Sequence, residues 1–257
     1  MAGRPPHTGS TAVWRADAAW RADAVWRLGS GRPPANRPGA ARRSEESAVT
    51  ASRPGPRRTA ATFTERARRR QIIDSTIELI SVRGYTGTSL SAIAEAAGIS
   101  KAAVLYHFSS KDNLTEATLQ HVFEQYTAYV MERVERAADA REAVLAYVRA
   151  MISYSRDNRR HIRLITEVLL DDKGGTRLKA PGSHEAGGRL RGLADLLAAG
   201  QEAGLLRDFD TTTIALAIGG AIDGVVSQWL ADPELDLDAA TEELESFVIL
   251  AIDRRAA

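Results

Sequence analysis

Residues 88–108 read TSLSAIAEAAGISKAAVLYHF, and this stretch decides the fold. Apolar side chains recur on one side of a short segment that follows Thr88 and ends at Gly98, and a second segment runs from about Ser100 to Phe108. Glycine suits the turn between them because it accepts a positive φ angle. Two short helices joined by such a turn have the dimensions of a helix-turn-helix, in which the second helix enters the major groove of DNA.

The chain on both sides of this stretch also has helical periodicity. Thr62 with Glu65 has the spacing of a capping box that opens a helix ending at Gly84, and Ser109 with Asp112 repeats that spacing. Beyond them the pattern predicts helices near 140–157, 159–171, 185–203, 211–231 and 239–255, with a loop from Lys173 to Gly182. No stretch alternates polar and apolar residues for long enough to indicate a strand. The sequence therefore predicts an all-α fold of about nine helices.

Composition and charge divide the chain. Residues 1–60 are rich in Arg, Pro and Gly and poor in aliphatic side chains, so we expect a disordered tail. The tail has a net charge of +7, whereas residues 116–257 have a net charge of −8. Basic side chains favour a polyanionic partner, although a basic tail on an ordinary acidic domain gives the same gradient. The predicted domains are this tail, a helix-turn-helix domain at 61–112 and a helical domain at 113–257.

The tail also contains a six-residue repeat. Trp14, Trp20 and Trp26 are each followed by arginine, and on a helix the three rings would point in three directions. The repeat therefore predicts no amphipathic membrane helix. It could contact DNA, or the tail could be an extension without function.

Several classes of function are disfavoured. The sequence has no cysteine, and its five histidines show no close pairing of metal ligands, so neither a metal nor another cofactor is predicted. No apolar run approaches the roughly 18 residues that cross a bilayer, and no secretion signal is present, so we expect a cytoplasmic protein without a membrane partner. No nucleophile with a base, and no pair of carboxylates, stands at recognisable spacing, so an enzyme is not predicted.

A wider pattern surrounds the turn. It consists of Gly84-Tyr85, Thr88-Ser89-Leu90, Ile93-Ala94, Ala97 to Lys101, Tyr106-His107-Phe108 and Lys111 to Leu114. Over residues 64–115 the pattern resembles the tetracycline-repressor (TetR) family of transcriptional regulators. It departs from that family at Leu105, where the family usually has a tyrosine.

The resemblance implies which residues bind DNA. They are Thr88, Ser89, Ser100, Lys101, Ala102, Tyr106, His107 and Lys111. Lys101 can donate to guanine acceptors and Ala102 can contact a thymine methyl group, whereas hydroxyls and backbone N–H groups suit phosphates. Arginines in the first helix could add non-specific attraction; these are Arg66, Arg68, Arg69 and Arg70. Simpler roles remain open, since Lys101 could be an ordinary surface charge, Thr88 a helix cap and His107 a packed aromatic.

The resemblance also implies a C-terminal domain that binds a small-molecule effector and forms a homodimer. Candidate pocket residues are polar or aromatic side chains on otherwise apolar helices: Tyr147, Met151, Tyr154, His161 and Trp229. Candidate dimer-interface residues lie on the last two helices: Gly220, Asp223, Gly224, Phe247 and Val248. Packing inside one subunit is the alternative explanation for each set.

The predicted function is therefore repression of transcription. A dimer would present two recognition helices to a double-stranded DNA operator, and an effector would favour a conformation with the wrong helix spacing. A ligand-dependent activator of the same fold is the alternative, because the sequence does not separate the two signs. An enzyme built on a helical bundle is a third hypothesis, in which the helix-turn-helix would be coincidental.

Overall fold

The computed structural model describes residues 57–171 and 181–254, and within these ranges the chain forms nine α-helices. They are α1 (Arg57–Arg83), α2 (Leu90–Ala96), α3 (Lys101–His107), α4 (Lys111–Val134), α5 (Ala140–Asp157), α6 (Arg159–Asp171), α7 (Pro181–Glu202), α8 (Thr211–Ala231) and α9 (Leu237–Ile252). In the same ranges the extended backbone pairs only at one isolated bridge, between Leu206 and Asp253. The all-α prediction is confirmed.

Two predicted helix starts were wrong. Helix α1 begins at Arg57, so Thr62 lies inside it and does not cap it, because no proline or glycine interrupts the chain between them. Helix α4 is capped by Ser110, whose hydroxyl accepts from the Asn113 N–H at 3.0 Å, whereas Ser109 accepts from the Asn113 side chain. The remainder of the predicted tail, its Trp repeat and most of the loop at 173–182 lie outside the described residues.

The N-terminal helices enclose a core of their own. Ile72, Ile80, Ile93 and Val104 are completely buried at its centre, and they come from α1, α2 and α3. The start of α4 adds further apolar side chains, led by Leu114. This core gives the two short helices a rigid support that seven residues could not supply alone.

A second core surrounds α5. This helix buries side chains on most of its circumference, and α4, α7 and α9 pack around it. The helix predicted near 140–157 is present as α5. Helices α8 and α9 close the core with Ile218, Ile222 and Ile252.

Helix α6 takes part in both cores. Its Leu164 and Val168 are buried among the N-terminal helices, whereas Ile162 is buried among the C-terminal ones. Ile165 packs against both groups. A shift of α6 therefore disturbs both cores, because close-packed interiors do not deform freely.

Helix α8 is unusually apolar. Its 21 residues meet the length and hydropathy expected of a membrane span. In the structure, 33% of its most apolar window is buried. The core helix of a soluble protein meets the same test, so the observation is weak evidence for a membrane. What remains exposed on α8 includes Leu216, which is 54% exposed.

The turn between α2 and α3 supplies a test of the fold. Gly98 has φ +61°, and a methyl group added there would meet no atom within 4 Å among the described residues. Gly98→Ala should lower the free energy of unfolding by about 1–2 kcal/mol, because an L residue is strained in this region. Urea unfolding measures the change.

Gly188→Ala is the matched control. Gly188 also has open space where a Cβ would lie, but it stands in helix α7 without a positive φ. Alanine there should raise the stability by up to about 1 kcal/mol. Equal effects at both glycines would contradict the conformational explanation.

Candidate nucleic-acid interface and effector site

The two short helices meet at a tight turn. The Gly98 N–H donates to the Glu95 carbonyl at 3.0 Å, and the Ile99 N–H donates to the Ala94 carbonyl at 2.9 Å. Ser100 then caps α3, because its hydroxyl accepts from the Ala103 N–H at 3.1 Å. Ile99 packs against the N-terminal core. The turn therefore fixes the angle between α2 and α3.

One face of α3 is open to solvent. Lys101, Ala102, Leu105 and Tyr106 are exposed, and Tyr106 is 80% exposed. Positions i, i+1, i+4 and i+5 share one side of a helix, so these side chains form a single surface, which we call the reading face. Val104, on the opposite side, is completely buried. The face has the exposure that contact with base edges requires.

The residues before α2 have different roles. Ser89 is exposed and caps α2 by accepting from the Ala92 N–H at 3.2 Å. Thr88 is 1% exposed, and its hydroxyl donates to the Gly84 carbonyl at 2.8 Å. The predicted phosphate contact through the Thr88 hydroxyl is therefore not available in this structure, because that hydroxyl already closes the turn after α1.

Two other residues predicted to bind DNA are held by neighbours within the protein. The Lys111 amine donates to the Tyr85 carbonyl at 2.5 Å and lies 3.7 Å from the centre of the Tyr85 ring. The Tyr85 hydroxyl donates in turn to Asp112. His107 is half-buried, and its ring meets that of Tyr106 edge-on at 5.2 Å. Of the predicted aromatic contacts, Tyr106 is the one whose side chain is free to approach DNA.

Sequence reasoning missed two side chains that position α2 and α3. Arg69 donates to the His107 carbonyl at 2.7 Å, and its guanidinium lies 4.2 Å from the centre of the Phe108 ring. Gln71 donates to the Ala97 carbonyl at 2.9 Å. Both side chains come from α1 and satisfy carbonyls at the ends of the two short helices, which have no partner within their own helix.

This geometry corrects the interpretation of the arginines of α1. Arg69 points into the protein, and Arg70 forms an exposed ion pair with Asp74 at 2.8 Å. Arg68 donates to Gln71 at 2.9 Å. Arg66 is exposed and keeps the predicted role of attracting DNA as a proposal.

Arg69→Met tests the positioning role. The variant removes a hydrogen bond to a helix end and the contact with Phe108, so unfolding should need about 1–3 kcal/mol less. Arg66→Met, on the same helix but exposed, should change stability by less than about 0.5 kcal/mol. Chemical denaturation of both variants measures their free energies of unfolding. Equal stabilities would exclude an anchoring function for Arg69.

The candidate effector residues lie in and beside the C-terminal core. Tyr147, Met151, Tyr154 and Trp229 are each less than 9% exposed, and His161 is half-buried at the edge. The structure joins two of them directly, because the Tyr154 hydroxyl and His161 Nδ1 are 2.8 Å apart. Burial lowers the pKa of His161, and burial raises the pKa of the Tyr154 hydroxyl.

The sequence did not identify the neighbouring tyrosines of α4. Tyr126 stacks on Tyr154 with 4.3 Å between ring centres, and its hydroxyl donates to the Met151 carbonyl at 3.1 Å. Burial raises the pKa of Tyr126 to about 12. Tyr129 meets Tyr154 edge-on at 5.3 Å, and the Arg133 guanidinium covers it at 3.3 Å from the ring centre.

A buried polar group accompanies this aromatic cluster. The Tyr147 hydroxyl has no exposed surface and no hydrogen-bond partner among the described residues. Arg189 of α7 interacts electrostatically with Tyr147 and Tyr126, and it forms a two-point ion pair with Asp223 of α8 at 2.9 and 2.7 Å. Gly219 lets these helices approach, because a Cβ there would lie 2.5 Å from Leu190.

A groove on the surface lies elsewhere, between α1 and α6. Its volume is about 620 Å³, and Arg70, Asp74, Arg160 and His161 are among its lining residues. His161 is the one predicted pocket residue that reaches it. Within the described ranges, no group of three or more His, Asp or Glu side chains is placed to hold a metal ion.

The candidate dimer residues divide into two groups. Gly220, Asp223, Gly224 and Phe247 are exposed, and a Cβ on either glycine would meet nothing within 4 Å among the described residues. Val248 is completely buried inside its own subunit, so it is not available to a partner. Two further large apolar side chains of α8 and α9 are exposed, Leu216 and Leu250, the latter by 83%.

Comparisons with known proteins match the N-terminal part of the chain by sequence and a longer part of it by fold. The sequence profile of the bacterial regulatory proteins of the tetR family matches residues 72–118. The chain is 41% identical over 81 residues to the HTH-type transcriptional regulator BetI of Burkholderia mallei (strain NCTC 10229), a match that covers 32% of this chain and 42% of BetI. It is 39% identical over 84 residues to BetI of Burkholderia cenocepacia (strain HI2424), covering 32% and 43%. The match thus spans less than half the length of these relatives.

Solved structures resemble the fold over a longer range. A transcriptional regulator from Saccharomonospora viridis in complex with choline aligns with TM-score 0.66 at 24% identity, over 73% of this chain and 98% of that one. AibR in complex with isovaleryl coenzyme A and operator DNA aligns with TM-score 0.55 at 23% identity, over 70% and 97%. At these identities the likeness concerns the fold.

The recognition helix packs on an N-terminal core of its own, and a helical bundle follows it in the chain. This arrangement defines a regulator of the helix-turn-helix class. The profile match, the BetI relatives and the shared fold are mutually consistent. Residues 72–118 carry the N-terminal domain of the tetR family of bacterial regulatory proteins.

Proposed function

We propose that this protein is a sequence-specific transcriptional repressor that a small molecule releases from its operator. The observation that carries the proposal is the reading face of α3, which exposes Lys101 and Tyr106 while the opposite side of the helix is buried. A rigid helix with one exposed face fits the major groove, where base edges present hydrogen-bonding groups and thymine methyl groups. The protein would act in the cytoplasm, where its DNA lies, and no enzymatic activity is proposed.

Specific recognition would use two subunits. A dimer places two recognition helices about 34 Å apart, which is one turn of DNA, and so reads a pseudo-palindromic operator. The proposed interface is the exposed apolar surface of α8 and α9, formed by Leu216, Gly220, Gly224, Phe247 and Leu250. Bare glycines allow a second helix to approach closely, which explains why they are tolerated in α8 despite their poor helix propensity.

Leu250→Glu tests this interface. A buried carboxylate without a partner is strongly unfavourable, so this substitution should raise the dissociation constant of the dimer at least a hundredfold. Leu169→Glu is the control, because Leu169 is 46% exposed on α6, away from α8 and α9. Sedimentation velocity across a concentration series separates monomer from dimer, and a Leu250→Glu protein that stays dimeric would place the interface elsewhere.

The effector would act through α6. Ile162 lies in the C-terminal core and Leu164 in the N-terminal core, so a ligand that rearranges the first core moves the support of the second. The ligand shifts this equilibrium only by its different affinity for the two arrangements. Measuring operator affinity with and without a bound effector tests the coupling.

The sign of regulation has its own test. Loss of a repressor raises the transcript level of the target genes, whereas loss of an activator of the same fold lowers it. The search for the effector can begin with a compound found in a structural neighbour, since the S. viridis protein was solved with choline. Choline is therefore the first compound to compare with others.

Operator binding is the decisive experiment. Gel shift with the DNA upstream of the protein's own gene, at low salt and without effector, should give a sequence-specific complex. Lys101→Ala should weaken it by about 5- to 100-fold and relax the preference at one base pair per half-site.

Arg136→Ala is the matched control for charge. Arg136 is exposed just beyond the far end of α4 and pairs with Glu132. Its removal should leave the base preference unchanged and affect affinity only slightly. If Lys101→Ala weakens all DNA sequences equally, Lys101 contacts phosphate and does not read a base.

A further inference from the structure

We propose that Tyr147 and Arg189 form the polar end of the effector site and that this site takes a carboxylate with an apolar chain. The inference rests on the proposed function and names the chemical class of the effector. It starts from two side chains whose polar groups are not required for the packing of an apolar core. Tyr147 is 5% exposed, and its hydroxyl has no partner in the described part of the chain.

The Tyr147 hydroxyl calls for an acceptor. Burial raises its pKa, so it remains a protonated phenol and can donate a hydrogen bond. A buried hydroxyl without a partner is unfavourable, and natural cores rarely keep one unless something binds it. A ligand oxygen would satisfy it, and the surrounding side chains of the C-terminal core are apolar.

The positive charge of Arg189 favours a negatively charged acceptor. Its side chain is 24% exposed, and its two-point contact with Asp223 uses two of the five N–H donors of a guanidinium. Arg189 is mostly buried and therefore needs a counter-ion, and a ligand carboxylate can share this role with Asp223 by using N–H donors that Asp223 leaves free.

The same surroundings disfavour a cation. An aromatic cage for a quaternary ammonium group needs open ring faces. Tyr126 and Tyr154 stack on each other at 4.3 Å, and Arg133 already covers Tyr129. The geometry therefore favours a carboxylate over choline as the effector of this chain.

Calorimetric titration of the full-length protein tests the assignment. The probes are straight-chain carboxylates from acetate to decanoate, the methyl esters of the same acids, and choline. We expect saturable binding of the longer carboxylates, at least tenfold weaker binding of the matched esters, and no binding of choline. Choline binding without carboxylate binding, or no binding of any carboxylate, would overturn the inference.

Three variants examine the polar end itself. Tyr147→Phe should weaken carboxylate binding about tenfold while preserving the fold, because it removes a hydroxyl that the free protein leaves unpaired. Asp223→Asn should tighten binding several-fold, because it removes the competing counter-ion. Arg189→Met should reduce binding at least a hundredfold, and the first two variants carry the test if this one does not fold.

The controls separate this inference from the proposed function. Arg141→Met breaks another arginine pair, with Asp253, and should leave carboxylate binding unchanged. Equal carboxylate affinities in wild type, Tyr147→Phe and Asp223→Asn would reject the site. A protein that binds its operator but no carboxylate contradicts this inference alone, whereas a protein that binds carboxylate but no operator contradicts the proposed function alone.

Discussion

The position of the recognition helix depends on hydrogen bonds that α1 makes to the ends of its two short neighbours. Arg69 binds the last carbonyl of α3, and Gln71 binds the carbonyl just after α2. Carbonyls at a helix C-terminus carry partial negative charge, so a guanidinium is well suited to that place. A seven-residue helix has little stability of its own, and its orientation is therefore set by α1.

Helix α1 is in turn tied to the C-terminal half of the molecule. Leu164 and Val168 of α6 are buried in the N-terminal core, and they join α1 to the helix that also packs on α5. On the solvent side the groove of about 620 Å³ separates parts of α1 and α6. Helix α4 also runs through both cores, with Leu114 in the first and Val130 in the second, so α4 and α6 together join the two halves.

Local features of the chain were predictable from the sequence. The turn at Gly98 and the buried side of α3 follow from neighbours in the chain, and the structure contains both. The exposure of the reading face was also expected, because its spacing matches a family pattern. Lys101 and Tyr106 accordingly lie on the surface.

Features that depend on distant residues were not predictable. Arg69 looked like a surface charge because arginine is usually exposed, and only the tertiary fold shows His107 within its reach. Val248 and Phe247 are adjacent and equally apolar, so periodicity could not tell which of them faces the subunit's own core. Tyr126 of α4 stacks on Tyr154 of α5, a contact between separate helices that sequence spacing does not encode.

The shortness of α3 limits how much information one subunit can read. Seven helical residues extend about 10 Å along the helix axis, which is roughly the length of three base pairs. Two copies then distinguish about six base pairs, or on the order of 4,000 different sequences, against about a million or more competing genomic positions. Most of the discrimination in a genome must therefore come from the fixed distance between the two half-sites and from the bendability of the DNA between them.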